Sequence, residues 1–164
     1  MIRNTAVTVC GPLNVNKLGV TYVHEHLMVK PQLPDEYYIP YTLDDEAAST
    51  EETRSFSAAG GETLVEMTPI NYGRNVKAYQ RIAQATGVHV ICCTGFHKQL
   101  FMPPWFGDKT DGELYDILMD EVTNGLDDTE IHPGVIKLGT SFEEVTAAEK
   151  RSIEAVARVH RDTG

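Results

Sequence analysis

Short apolar runs alternate with longer amphipathic segments along most of the chain. The apolar runs have the length of β-strands and cover residues 19–26, 62–67, 88–94 and 134–138. The segments that follow them carry apolar residues at helical spacing and cover residues 43–59, 75–86, 110–122 and 146–160. This order predicts four consecutive βα units.

Local signals support the boundaries of these helices. Gly60–Gly61 and Gly87 are expected to end the first two, because glycine adopts the left-handed conformation of a helix C-terminus at little cost. Thr110 and Thr146 each precede a glutamate by three residues, which is the pattern of a capping box at a helix start.

Two further features lie outside the repeating units. Residues 5–10 alternate in polarity and residues 11–14 (GPLN) predict a turn, so a small hairpin is expected before the main fold. Pro31, Pro34 and Pro40 predict an irregular loop after the first strand of the repeating units.

Repeated βα units imply a parallel sheet with right-handed crossovers, so the predicted fold class is α/β. The run 88–94 is apolar on both faces, as expected of a parallel strand that is covered by helices. The periodicity alone leaves two architectures open, a small doubly wound sheet and part of a barrel. No linker or internal boundary divides residues 1–164.

Composition narrows the functional classes. The chain has 14 Lys and Arg against 24 Asp and Glu, a net charge of −10. Such a surface repels phosphate backbones and anionic lipids, so binding to nucleic acid or membranes is not expected. Residues 82–97 form the longest uncharged stretch, but polar residues interrupt it, so no membrane span is predicted. Three cysteines without C-x-x-C spacing predict a reduced, cytoplasmic protein.

Two histidines near the end of the first parallel strand are candidates for chemistry. Because side chains alternate along a strand, His24 and His26 are expected on one side and Glu25 on the other. Two imidazoles at the carboxyl end of a strand can ligate one metal ion. The alternative is a pair of core histidines that are satisfied by hydrogen bonds, and the three-residue pattern alone leaves both open.

Lys137 lies within the apolar run 134–138. A buried ammonium must pair, lose its proton or be modified, because leaving it unpaired costs several kcal/mol or more. The ordinary alternative is a lysine that extends along the strand to a carboxylate at the surface. Taken alone, Lys137 favours this alternative.

Four ordered motifs change that interpretation. Together they resemble the phosphotriesterase-like group of the amidohydrolase superfamily. Its motifs match segments 20–27 (VTYVHEHL), 71–76 (NYGRNV), 86–87 (TG) with 93–96 (CTGF), and 134–141 (GVIKLGTS). The matches cover nearly the whole chain from Gly11 onward. An ordered series is far more specific than any one short pattern.

This resemblance implies a (β/α)8 TIM barrel, of which the chain would form the N-terminal half, a β-hairpin and four βα units. It implies two divalent metal ions, with zinc favoured and manganese, cobalt or iron as alternatives. His24 and His26 would bind the more buried ion, and carbon dioxide would convert Lys137 to a catalytic, bridging carbamate. Hydroxide between the ions would attack a lactone, another carboxylic ester or a phosphotriester.

Further residues take secondary roles under this resemblance. Glu66 is a candidate for a residue that contacts the metal ligands without binding the metal itself. The alternative is an ordinary carboxylate at the end of a strand. The substrate pocket is assigned to three residues after the third strand, Phe96, His97 and Trp105. His97 and Lys98 could also recognise an anionic group such as a sugar phosphate, with a solvated loop as the alternative. Arg74 is expected to be structural.

The chain holds only part of the pattern that the family shows. A barrel of this type needs about 250 residues. In relatives the fifth and sixth strands each supply a histidine and the eighth an aspartate, and these strands have no counterpart here. We therefore expect residues 1–164 to be one partial domain of a longer polypeptide.

Two other interpretations compete with a hydrolase of esters. The chain could be a catalytically silent half-barrel that serves as a metal-binding or interaction module. Pairing as a homodimer stays open, although a second copy would duplicate His24, His26 and Lys137 and leave the other ligands missing. A nucleotide-binding fold is disfavoured, because no G-x-G-x-x-G or phosphate loop follows a strand.

Overall fold

The structure is a computed structural model that describes residues 4–32 and 42–164. The described residues begin with a hairpin of two antiparallel strands, β1 (Thr5–Thr8) and β2 (Gly11–Asn14), and a 3-10 turn at Val15–Lys17. The repeating elements follow as β3 (Thr21–Glu25), α1 (Glu46–Ala58), β4 (Thr63–Glu66), α2 (Val76–Thr86), β5 (His89–Gly95), α3 (Asp111–Asn124), β6 (Val135–Lys137) and α4 (Ala147–Thr163). Short 3-10 helices occupy Gln99–Phe101 and Pro104–Asp108.

The four strands of the main sheet are parallel and lie side by side in chain order, β3-β4-β5-β6. Each is followed by a helix in the described part of the chain, so the predicted βα units and α/β class are confirmed. A doubly wound sheet reverses its strand order at a switch point, whereas a barrel adds each strand beside the previous one. The observed order is that of a barrel.

The predicted turn at residues 11–14 is wrong, because these residues form strand β2. The chain reverses at residues 9–10, where the Thr8 hydroxyl donates to the Gly11 carbonyl at 2.7 Å and Gly11 has φ +107°. Pro12 pairs with Val7 in this two-stranded ribbon, where an edge position tolerates a residue without an N–H. Of the loop prolines, Pro34 and Pro40 lie outside the described residues.

Capping chemistry sets the helix ends as expected. The hydroxyls of Thr110 and Thr146 accept from the backbone N–H of Glu113 and Glu149, and both glutamates return to the cap backbone. Gly87 ends α2 in the left-handed conformation with φ +76°. Each capping box satisfies two backbone N–H groups at the start of its helix, which lack partners within the helix.

The core lies between the sheet and its helices. One apolar cluster joins α2 to β4 and β5 through Tyr79 and Ile82, and a second joins α3 and α4 to the end of β5 through Leu114, Leu118 and Val159. Cys92 and Cys93 are fully buried packing residues. Within the part of the chain that the structure describes, no helix combines the length and apolarity needed to cross a bilayer.

Arg74 forms a buried ionic network, in agreement with its expected structural role. Its guanidinium, 4% exposed, donates to both carboxylate oxygens of Glu121, at 2.6 and 3.0 Å, and to both oxygens of Asp127, at 2.5 and 3.0 Å. It also donates to the Cys93 carbonyl, and the Thr94 hydroxyl donates to Glu121. The network holds the turn after β4 against α3.

Replacing Arg74 with methionine should destabilise the protein strongly. The change leaves the mostly buried Glu121 carboxylate uncompensated, and losing one partner of such a pair costs about 3–5 kcal/mol. The matched control is Arg81→Met, whose pair with Glu46 is solvent-exposed and should therefore change stability little. Urea unfolding measures both, and equal losses in the two variants would contradict a structural role for the Arg74 network.

Candidate functional site

Strand β3 contains His24 near its carboxyl end, and His26 follows the strand directly. Its pairing with β4 shifts by one residue between Tyr22 and Glu25, which marks a β-bulge. Tyr22 contacts Phe56 of α1, at 4.8 Å between ring centroids, on the helix side of the sheet. The rings of His24 and His26 lie 5.3 Å apart. The predicted proximity of the two imidazoles is therefore present, although the strand does not alternate strictly.

Lys137 joins this pair from the far strand of the described sheet. Lys137 is only 5% exposed, and its Nζ lies 3.3 Å from His24 Nε2. Among residues 4–32 and 42–164, no carboxylate forms a salt bridge with this amine. Burial lowers the pKa of Lys137, because the charged ammonium is poorly solvated at this position.

The imidazoles are also held in the neutral state. Burial lowers the pKa of His26 to about 4, with a further contribution from the charge of Lys137. Burial and Lys137 likewise lower the pKa of His24. Neutral imidazoles have a free lone pair, which is the form that binds metal ions.

Glu66 lies directly behind His26 and is fully buried. Its carboxylate accepts from the backbone N–H of Leu27 at 3.2 Å, from that of Thr68 at 3.1 Å and from the Thr68 hydroxyl at 2.6 Å. His26 Nδ1 lies 2.8 Å from the same hydroxyl and 3.8 Å from the carboxylate. Burial raises the pKa of Glu66 to about 7, although the hydrogen bonds from Thr68 and Leu27 oppose this shift.

An aromatic row extends the site away from the histidines. The Tyr72 ring contacts His26 at 5.9 Å and His97 at 4.8 Å, both edge to face, and His97 stacks on Phe101 at 4.8 Å. Lys98 Nζ lies 5.6 Å from the centre of the Phe101 ring. Of the three residues predicted for the pocket, His97 is the one that the structure brings next to this row.

Phe96 and Trp105 lie elsewhere. Phe96 is fully buried and packs on Trp105 and Phe106, in the apolar cluster beneath α3 and α4. The structure therefore places Phe96 in the core and Trp105, partly buried, against it, rather than beside the histidines. Phe96 directly follows Gly95, whose φ of +112° interrupts the alternation of side chains at the end of β5.

A second buried carboxylate connects the loops after β5 and β6. Glu149 accepts from the Ser141 hydroxyl at 2.6 Å, from the Gln99 N–H at 3.0 Å and from the Thr146 N–H at 2.9 Å. It therefore serves both as part of the α4 cap and as a link between two loops. The loop that carries His97 is thereby fixed relative to the strand that carries Lys137.

The described residues supply only part of a set of metal ligands at this edge of the sheet. Among the described residues, no group of three or more His, Cys, Asp or Glu side chains could hold a metal ion. Two imidazoles and a buried amine do converge, and such nitrogens suit zinc and other transition metals. An amine that gained a carboxylate group would add oxygen donors to this set, so the residues present fit a metal site.

Two residues of this arrangement were missed by sequence reasoning, namely Thr68 and Tyr72. Thr68 could have been found, because it follows Glu66 by two residues at the end of a strand and shares its face. Tyr72 lies beyond the strand, in a turn whose path no periodicity specifies.

Gly95→Ala should disturb the position of Lys137. A Cβ at this position would meet the Lys137 carbonyl oxygen, and the positive φ is strained for any residue with a side chain. We expect a loss of at least about 2 kcal/mol in the free energy of unfolding, measured in urea. Gly107→Ala is the control, because its Cβ would meet no heavy atom and should change stability by about 0.5 kcal/mol or less. Similar losses of unfolding free energy in both variants would contradict a close contact between Gly95 and the Lys137 backbone.

The imidazole of His97 should stay neutral to unusually low pH. Burial lowers the pKa of His97 to about 4, and the charges of Lys137 and Lys98 add to this effect. Because the unfolded chain binds this proton more readily, the contribution to stability is complete above about pH 6.5 and is lost as the pH falls toward 4. An NMR titration of the metal-free protein, with the His97 signal identified by its loss in His97→Asn, measures the value. A midpoint near 6.5 would contradict the buried environment.

Comparison with known proteins agrees with these observations. The model of the phosphotriesterase family matches residues 4–164. A phospho-furanose lactonase from Mycoplasmopsis synoviae is 31% identical over 180 residues, covering 100% of this chain and 51% of the relative. An N-acetyltaurine hydrolase from Danio rerio is 31% identical over 193 residues, covering 99% of this chain and 55% of the relative.

Among solved structures, a lactonase from Listeria monocytogenes superposes with a TM-score of 0.90 at 30% identity, covering 97% of this chain and 54% of its own. The chain spans about half the length of the curated relatives it matches. Its hairpin and four βα units are one half of a TIM barrel. The match of the family model over nearly every residue establishes that the chain belongs to the phosphotriesterase family.

Proposed function

We propose that the protein is a metal-dependent hydrolase of carboxylic esters, with a lactone as the favoured substrate and a phosphotriester as the alternative. The observation that carries this proposal is the convergence of His24, His26 and Lys137 at the carboxyl edge of the sheet. This edge is where parallel α/β barrels build their active sites. The similarity to lactonases supports an ester bond as the one that is broken.

His24 and His26 would hold one of two divalent ions, with zinc favoured over manganese, cobalt or iron. Lys137 would bridge the pair as a carbamate, which forms when its neutral amine adds carbon dioxide and releases one proton. The lowered pKa of Lys137 supports this role, because only the neutral amine is nucleophilic. Two bound cations would lower the pKa of a water molecule and polarise the carbonyl of an ester.

The aromatic row lies beside the space in which the rest of the substrate would lie. A carbonyl beside His26 would place its ring substituents near His97, which packs on the buried rings of Tyr72 and Phe101. Lys98 lies over Phe101 and adds a positive charge. We therefore include phosphorylated sugar lactones among the favoured substrates, since their phosphate would pair with Lys98.

A second candidate function is a catalytically silent module that binds metal or another protein. The partial donor set favours it, because the described residues hold no cluster of three His, Cys, Asp or Glu ligands. An amide is a further alternative to the ester, since one relative is an N-acetyltaurine hydrolase. Metal content and hydrolysis separate these functions.

The test is hydrolysis of a substrate panel by the full-length protein together with analysis of its metal content. The panel contains plain lactones, phosphorylated sugar lactones, N-acyl amides and phosphotriesters. We expect about two zinc ions per chain and hydrolysis of lactones. His24→Ala and Lys137→Met should each lose metal and reduce kcat/KM at least about a thousandfold, because the cation supplies several kcal/mol of transition-state stabilisation.

His160→Ala is the matched control, because this histidine lies on the exposed end of α4. It should keep both the metal and the activity. Lys98→Met should raise KM for phosphorylated lactones more than for plain lactones. A protein that binds metal and hydrolyses none of the panel would support the silent module, and one that binds no metal would refute the proposal.

A further inference from the structure

We infer that Thr68 and Glu66 act together as positioning residues that select the tautomer of His26. They fix the ring proton on Nδ1 and so leave the lone pair of Nε2 free for a metal ion. The inference rests on the proposed function only in taking His26 as a ligand. Its basis is the direction of four hydrogen bonds in a region that excludes water, where Glu66 and Thr68 are both fully buried.

The direction is set first by the backbone. The backbone N–H groups of Leu27 and Thr68 can only donate. Each carboxylate oxygen of Glu66 therefore accepts one of these two hydrogen bonds. The Thr68 hydroxyl lies 2.6 Å from the oxygen that also accepts from Leu27. At about pH 8, above the pKa of Glu66, the carboxylate is ionised and has no proton to give, so this hydroxyl must use its single proton to donate to Glu66.

The hydroxyl can then offer only lone pairs to its other neighbour. His26 Nδ1 lies 2.8 Å from Thr68 Oγ1, so the stable arrangement has the proton on Nδ1 and donates it to Thr68. A neutral imidazole has one proton, and Nε2 is therefore bare. The two successive hydrogen bonds, from His26 Nδ1 to the Thr68 hydroxyl and from this hydroxyl to Glu66, are called the relay below. They also fix the orientation of the imidazole ring.

The same carboxylate fixes the backbone on either side of the site. Its bond to the Leu27 N–H holds the residue next to His26, and its bond to the Thr68 N–H holds the end of β4. A change at Glu66 would alter both the backbone and the tautomer. Thr68 is the better position for a test of the tautomer alone. A substitution there removes the hydroxyl but keeps the hydrogen bond from the backbone N–H of residue 68 to Glu66.

The experiment compares wild type with Thr68→Val, which removes the hydroxyl with little change of shape, and Thr68→Ser, which keeps it. Long-range proton–nitrogen correlation spectra of the metal-free, full-length protein at about pH 8 report which ring nitrogen carries the proton. The loss of its signals in His26→Gln assigns the ring. We expect Nδ1–H in wild type and Thr68→Ser, and both tautomers in Thr68→Val.

Zinc affinity supplies the second measurement, with zinc alone as the probe and a competing chelator as the reporter. Thr68→Val should weaken zinc binding about 10- to 100-fold, whereas Thr68→Ser should stay near the wild-type value. A proton on Nε2 in the wild type overturns the inference even if Thr68→Val fails to fold. An unchanged tautomer or an unchanged zinc affinity in folded Thr68→Val also overturns it.

The two proposals can fail separately. The tautomer is measured without metal or substrate, so a protein that hydrolyses nothing can still carry the relay. Conversely, a hydrolase with zinc bound at His26 and a proton on Nε2 in its metal-free form would keep its function and refute the relay.

Discussion

Lys137 places a basic amine inside a parallel sheet, where a charged ammonium would lose most of its hydration. The described residues offer it an imidazole nitrogen of His24 at 3.3 Å and no ion pair. Burial therefore lowers the pKa of Lys137, and burial together with Lys137 lowers the pKa values of both histidines. The result is a cluster of nitrogen donors at the strand edge that is suited to receive cations.

The scaffold holds this cluster through buried carboxylates that accept backbone N–H groups. Glu66 joins the ends of β3 and β4 beneath His26, and Glu149 joins the loops after β5 and β6. Hydrogen bonds to a carboxylate are stronger than those between neutral groups, and burial protects them from exchange with water. The site is thus positioned by strand ends and by fixed loops, as precise chemistry requires.

Much of the fold could be predicted, because apolar periodicity and capping residues act locally and specify each βα unit. The proximity of His24 and His26 follows from their spacing, but the bulge that turns Tyr22 toward α1 depends on pairing with β4 and leaves no local signal. Lys137 could be interpreted only by resemblance, since its partner is 113 residues away. Phe96 is expected in the pocket from its position after the third strand, but the preceding glycine has a positive φ, which no local pattern predicts, and the ring packs in the core.

The proposed function requires His24, His26 and Lys137 to hold metal together at the ends of these strands. Anomalous diffraction at the zinc absorption edge, from crystals of the zinc-loaded full-length protein, can locate the ions. We expect a peak about 2.0–2.1 Å from a nitrogen of each histidine, with density for a carboxylated Lys137 beside it. Peaks confined to other parts of the protein, with both histidines unliganded and an unmodified Lys137, would refute a metal site at these residues.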